Sequence, residues 1–148
     1  MYISTENLVS LGDFEDLAKK KLPKNIWDFI DAGSFDETTP RRNRSAFDEI
    51  VLRPRFMRDV GNVDISTTVL GTPISFPVII APAAGHCMVH PDGELATAQG
   101  AQESNTLMIV STLSDYPIED IASVPMLPKW FQLYHREKKD YQKLSTKS

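Results

Sequence analysis

Gln132 and Tyr134 stand two positions apart in the apolar run WFQLY, residues 130–134. In an extended chain that spacing puts both side chains on one face, so a carboxamide and a phenol leave an otherwise apolar strand together. Both groups donate and accept hydrogen bonds. Two earlier runs end in a comparable way. PVIIAP leads into Ala81-Pro82-Ala83-Ala84-Gly85, whose small side chains leave backbone bare, and TLMIVST ends on two hydroxyls, Ser111 and Thr112. A smooth peptide ledge, hydroxyls, an amide and a phenol suit a flat, neutral heteroaromatic ring with carbonyls and ring nitrogens. A phosphate would call for a glycine-rich loop or cations instead. The same residues also fit plainer duties: small residues permit tight turns, a serine after a strand caps a helix, and a polar pair satisfies nearby backbone. The residues alone leave both readings open.

The three ends matter only if the chain brings them together. PVIIAP and TLMIVST are unbroken apolar runs, the habit of strands covered on both faces. Between them PDGELATAQGAQESN reads as a helix with Leu95, Ala98 and Ala101 along a narrow apolar edge; YPIEDIASV is a short helix before WFQLY, and REKKDYQKL opens another. The strand starts fall about 29 and 24 residues apart, the rhythm of βαβ units with a parallel sheet, which carries its chemistry at the C-terminal ends of its strands. Upstream, VDISTTVLGTPIS holds β-branched runs split by the turn signal Gly71-Thr72-Pro73, which predicts a hairpin or strand pair. Residues 1–50 read as helical and as packing helices. Asp13 is placed to cap a helix striped by Phe14, Leu17, Ala18 and Leu22 and ended by Pro23; KNIWDFIDAG gives a second that stops at Gly33; a third starts with Thr39 as cap and Pro40 in its first turn.

Composition narrows the classes. The 148 residues are 41% hydrophobic and 24% charged, which is globular, and the net charge of −4 gives no basic face for nucleic acid. Lys19 to Lys21 read as a solvated helix face. The single cysteine, Cys87, has no internal disulfide partner, which points to a reducing compartment. No apolar run approaches a membrane span and the first residues lack a secretory pattern, so a cytoplasmic protein is expected. His86, Cys87 and His90 lie close in sequence, yet they follow a strand in a turn-rich loop with no fourth ligand at useful spacing, and no metal is expected there.

Several separated motifs are familiar together. LPKNIWDFIDAGSFDETTPRRNRSAFDEIVLRPRFMRDV, VIIAPAAGHCMVHPDGELATAQGAQ, IVSTLSDYPIEDIA and WFQLYHREK, in this order over about residues 10 to 143, closely resemble the FMN-dependent 2-hydroxy acid oxidases and dehydrogenases, the family of glycolate oxidase, lactate oxidase and mandelate dehydrogenase. The resemblance implies an α/β fold, a partial (β/α)8 TIM barrel of about three βα units behind N-terminal helices and a short hairpin. It implies one incomplete domain over 1–148, with a helical section over 1–50 and the start of the barrel over 51–148. It implies FMN, with the backbone of Ala81, Pro82, Ala83 and Ala84 against the isoalloxazine and with Ser111 and Gln132 bonding its pyrimidine edge. Tyr134 matches the tyrosine that binds or polarises the substrate. Phe29 stands where many members carry a tyrosine, and Leu113 where several carry a tryptophan, both lining the substrate pocket. The implied reaction oxidises an (S)-2-hydroxy acid to a 2-oxo acid, with oxygen or another acceptor taking the electrons, in a homo-oligomer. The family's catalytic histidine lies in a His-x-x-Arg motif, and no histidine of this sequence has that context. The ending KKDYQKLSTKS has low-complexity polar residues where the family continues into an apolar strand. A fragment is therefore expected, the alternative being a truncated, non-catalytic remnant that lacks the catalytic His and Arg.

Overall fold

A computed structural model describes residues 7–125 and 129–135, in two compact units, Met1–Gly61 and Asn62–Ser148. The first unit holds α1 (Leu11–Lys21), α2 (Lys24–Asp31) and α3 (Thr38–Asp48). The cap of α1 is Ser10, not Asp13 as expected. The two form a reciprocal capping box, in which Asp13 N–H donates to Ser10 Oγ and the Asp13 carboxylate accepts from the N–H groups of Val9 and Ser10 at 2.9 and 2.8 Å. The cap of α3 is also displaced, from Thr39 to Glu37, whose backbone is left-handed at φ 56°. Gly33 follows Ala32, the last residue of the α2 cap. None of the three helices buries a residue, and Phe29 and Phe47 are largely exposed. An amphipathic stripe is stabilised only by a surface that covers it, and the sequence pattern shows the stripe but not its cover.

Asp13 makes one pH prediction. Its carboxyl is held below the ordinary value first by the Val9 N–H, then by the Ser10 N–H and hydroxyl. A lowered folded-state pKa means that the stabilisation is present above the unfolded value, about 3.9, and is lost as pH falls through the folded value. Helicity measured by circular dichroism across that acid range should therefore fall less steeply in Asp13→Asn than in the parent. Ser10→Ala should cost about 1 kcal/mol in urea unfolding. Identical acid profiles for Asp13→Asn and parent would contradict the cap.

The second unit begins with a hairpin, β1 (Thr67–Val69) and β2 (Thr72–Ile74), antiparallel with Val69 opposite Thr72. Leu70 and Gly71 make the turn, at φ 46° and 79°. Positive φ at both central residues of a two-residue loop is the twist-matched hairpin turn, and glycine meets it without strain. The turn thus sits one residue earlier than the expected Gly71-Thr72-Pro73, and Pro73 lies inside β2.

The rest alternates strand and helix as the spacing predicts, in shorter strands. PVIIAP contributes a single parallel bridge, Ile80 to Met108, made by Ile80 N–H to Leu107 O at 2.9 Å and Ile109 N–H to Ile80 O at 3.0 Å. Pro77 and Pro82 bracket it and bring no N–H to lengthen the ladder. After a 3-10 turn over His86–Met88 come α4 (Gly93–Glu103), β3 (Ile109–Ser111), α5 (Ile118–Ser123) and β4 (Trp130–Gln132). The end of α4 is a Schellman motif: Thr106 N–H reaches Ala101 O and Asn105 N–H reaches Gln102 O, both at 3.0 Å, with Asn105 at φ 50° taking the place usual for glycine. The strands β3 and β4 pair in parallel, Ile109 with Trp130 and Ser111 with Gln132. Met108, just before β3, and Val110 within it pack with Ala98 and Ala101 of α4 and Ile121 of α5 as the core. No closed barrel forms among the described residues, and the helix expected from REKKDYQKL lies outside them.

Candidate functional site

Alternation along β3 and β4 sends Val110 to the helix-covered face and Ser111 to the other, where the parallel register sets Gln132 beside it. Ser111 is 5% exposed and Gln132 is half-buried. The Ser111 hydroxyl donates to Gln132 Oε1 at 3.4 Å, and the Thr112 N–H donates to the same oxygen at 3.4 Å. An N–H can face only an acceptor, so the amide oxygen is pinned inward and the Gln132 NH2 is left to donate elsewhere. Ser111 Oγ is itself positioned, accepting from the Leu113 N–H at 3.1 Å.

Thr112 has a different use from the one its sequence position suggests. Its hydroxyl is not a free ligand group: it donates to Gln132 O and accepts from the Tyr134 N–H at 3.0 Å. A side chain thereby takes over the backbone groups that would extend the ladder. This is why β4 stops at Gln132 and not at Tyr134 as WFQLY predicts. Tyr134 then lies beyond the strand, 53% exposed, with its backbone anchored and its phenol free of any hydrogen bond to the described residues.

The remaining sequence-predicted positions are placed as follows. Ala81 to Ala84 are exposed, irregular backbone immediately after the Ile80 bridge, running in the same sense as β3. Leu113 is half-exposed in the turn after β3. Phe29 is 71% exposed on α2, in the first unit. His86 and His90 are spent locally, His86 Nδ1 against Thr97 Oγ1 at 3.0 Å and His90 Nδ1 accepting the Asp92 N–H at 3.2 Å. The spatial neighbours of Cys87 are instead Glu94 and Asp115, which sequence spacing alone gave no means of finding.

The sequence pattern of the FMN-dependent dehydrogenases matches residues 18–145. The chain belongs to that family. It is 44% identical over 135 residues to a peroxisomal (S)-2-hydroxyacid oxidase of Arabidopsis thaliana, covering 91% of this chain and 37% of that protein. It is also 44% identical over 137 residues to 2-hydroxyacid oxidase 2 of Rattus norvegicus, covering 92% and 39%. Among solved structures it resembles a soluble mutant of the membrane-associated (S)-mandelate dehydrogenase of Pseudomonas putida, with a TM-score of 0.87 at 33% identity over 95% of this chain and 40% of that one. The chain thus spans less than half the length of these relatives. The family is FMN-dependent. Among the described residues no helix is long and apolar enough to cross a membrane.

Proposed function

We propose that this chain forms one flavin-binding edge and part of the substrate wall of an FMN-dependent enzyme that oxidises an (S)-2-hydroxy acid to a 2-oxo acid, and that its parallel strands are the first units of a (β/α)8 barrel. The Ser111–Gln132 pair carries the reading. Its hydrogen bonds commit the amide oxygen to the protein and leave the NH2 as a fixed donor, the group that a ring carbonyl requires. The exposed backbone of Ala81, Pro82, Ala83 and Ala84 fits a flat partner because no side chain larger than a proline ring stands on it. FMN, when bound, supplies the acceptor for two electrons from the hydroxy acid. The residues of this chain do the holding: Ser111 and Gln132 orient the ring edge, the ledge limits how it tilts, and the Tyr134 phenol binds the substrate. Leu113 brings an apolar side chain to the substrate wall, which favours a substrate with a longer or aromatic side chain over the smallest hydroxy acids. Oxygen or another acceptor takes up the electrons. The peroxisomal label of the plant relative sets a peroxisome beside the cytoplasm as the compartment to test.

The 148 residues contain no His-x-x-Arg, so the general base and the carboxylate clamp of the resemblance are not among them. The purified 148-residue chain is therefore expected to leave gel filtration colourless and to oxidise no 2-hydroxy acid. Stoichiometric FMN or turnover by this chain alone would overturn the assignment of those roles to residues outside it. The reading is tested by replacing the matched segment of the Arabidopsis oxidase with residues 18–145. Oxidation by that graft supports it, and a folded, flavin-free graft overturns it.

A further inference from the structure

A second group of chemically active side chains uses none of the residues assigned to the flavin. Cys87 Sγ, a carboxylate oxygen of Glu94 and a carboxylate oxygen of Asp115 all lie within 4.8 Å of one another. They come from the 3-10 turn after the ledge, the first turn of α4 and the loop between β3 and α5. Backbone donors hold the two acids in place: Cys87 N–H donates to Asp115 Oδ2 at 2.8 Å, and Asp115 N–H donates to Glu94 Oε1 at 3.1 Å. Gly93 lets the start of α4 come close, since a Cβ there would sit 2.7 Å from Cys87 Sγ. Glu94 is 0% exposed, and its other oxygen, Oε2, has no hydrogen-bond partner among the described residues. A buried carboxylate oxygen without a donor is costly, and buried acids are normally paired or bound to a metal.

We propose that Cys87, Glu94 and Asp115 form a binding site for a zinc-like divalent cation. A thiolate with two carboxylates selects a borderline-soft ion over magnesium or calcium, which prefer all-oxygen shells. At Zn–S about 2.3 Å and Zn–O about 2.1 Å, tetrahedral ligands stand about 3.6 Å apart, so the three side chains close by roughly 1 Å onto the ion. Cys87 and Asp115 are exposed, which gives the ion a path in and leaves the fourth position to water. On binding, the Sγ–H bond breaks, its proton goes to solvent and an Sγ–metal bond forms, with no change of oxidation state. Loss of water around the thiol, and then the charges of Asp115 and Glu94, raise the Cys87 pKa; the same negative field attracts a cation. The plainer arrangement is a clasp, in which the thiol keeps its bond to Pro91 O at 3.7 Å and no ion enters.

The test uses the full chain, stripped with a chelator and titrated with zinc by equilibrium dialysis and with cobalt(II) by absorbance. One zinc per chain is expected, with a thiolate charge-transfer band in the cobalt form, and neither calcium nor magnesium in excess should displace zinc. Cys87→Ser should abolish the band, and Asp115→Asn, which keeps an acceptor for the Cys87 N–H, should weaken zinc about tenfold or more at unchanged circular dichroism. Zinc binding well below one per chain, a cobalt spectrum without the thiolate band, or equal zinc affinity in folded Cys87→Ser would each overturn the site. If Cys87→Ser does not fold, the cobalt band of the parent decides alone. None of these outcomes depends on whether the chain holds flavin.

Discussion

Gln132→Leu is expected to weaken FMN binding about thirtyfold in a graft in which residues 18–145 of this chain replace the matched segment of the Arabidopsis oxidase, measured by flavin fluorescence titration of the deflavinated protein. Leucine is close to glutamine in size, so β4 keeps its register with β3. What goes is the amide. The Thr112 N–H and the Ser111 hydroxyl both lose the Gln132 Oε1 that they share, and the donor assigned to the ring disappears. The two bonds within the protein are lost with and without flavin alike, so the affinity changes through the ring carbonyl left without its donor, about 2 kcal/mol, which corresponds to the thirtyfold change. Tyr134→Phe should behave in the opposite way. The Tyr134 side chain is 53% exposed and its backbone anchor to Thr112 Oγ1 is untouched by the substitution. Flavin content should hold while turnover of the hydroxy acid falls. Unchanged flavin affinity in Gln132→Leu would remove the amide from the site, and flavin loss with normal turnover per bound flavin in Tyr134→Phe would remove the phenol from the substrate wall.

Ile121→Ala should be the most damaging single change to the second unit, lowering its stability by about 3 kcal/mol. Ile121 is 0% exposed and packs in one cluster with Met108, with Val110 of β3 and with the two alanines of α4. Alanines cannot lean across to fill the space, so the cavity stays open. The same substitution one turn earlier is the control: Ile118 is 44% exposed, and Ile118→Ala should cost less than about 1 kcal/mol. Urea midpoints of the two variants measure the contrast. Equal losses would mean that α5 does not dock through Ile121.

How much of this was legible in the sequence follows from the range of the forces involved. Apolar periodicity is local, and it marked Ala98, Ala101 and the parallel strand segments correctly. Hydrogen-bond partners across the fold are not local. Nothing in TLMIVST says that Thr112 Oγ1 will take the backbone groups after Gln132, which shortened the expected strand and left Tyr134 beyond its end. The cap of α1 falls on Ser10 and not Asp13 because both are good cap residues three apart, and the choice between them depends on where the helix backbone begins. The pairing of Ser111 with Gln132 was foreseeable in kind, from polar residues at neighbouring strand ends, though their direct hydrogen bond was not. The clustering of Cys87, Glu94 and Asp115 needs three separate segments brought together in space and has no sequence signal of its own.

The proposed hold of Ser111 and Gln132 on the flavin edge is read from the flavin content of the graft. Absorbance of the purified graft against its protein concentration should give one FMN per chain, falling on dilution in the Gln132→Leu form. A graft that is folded by circular dichroism and matches the parent oxidase in gel filtration, yet carries no FMN, would contradict the account.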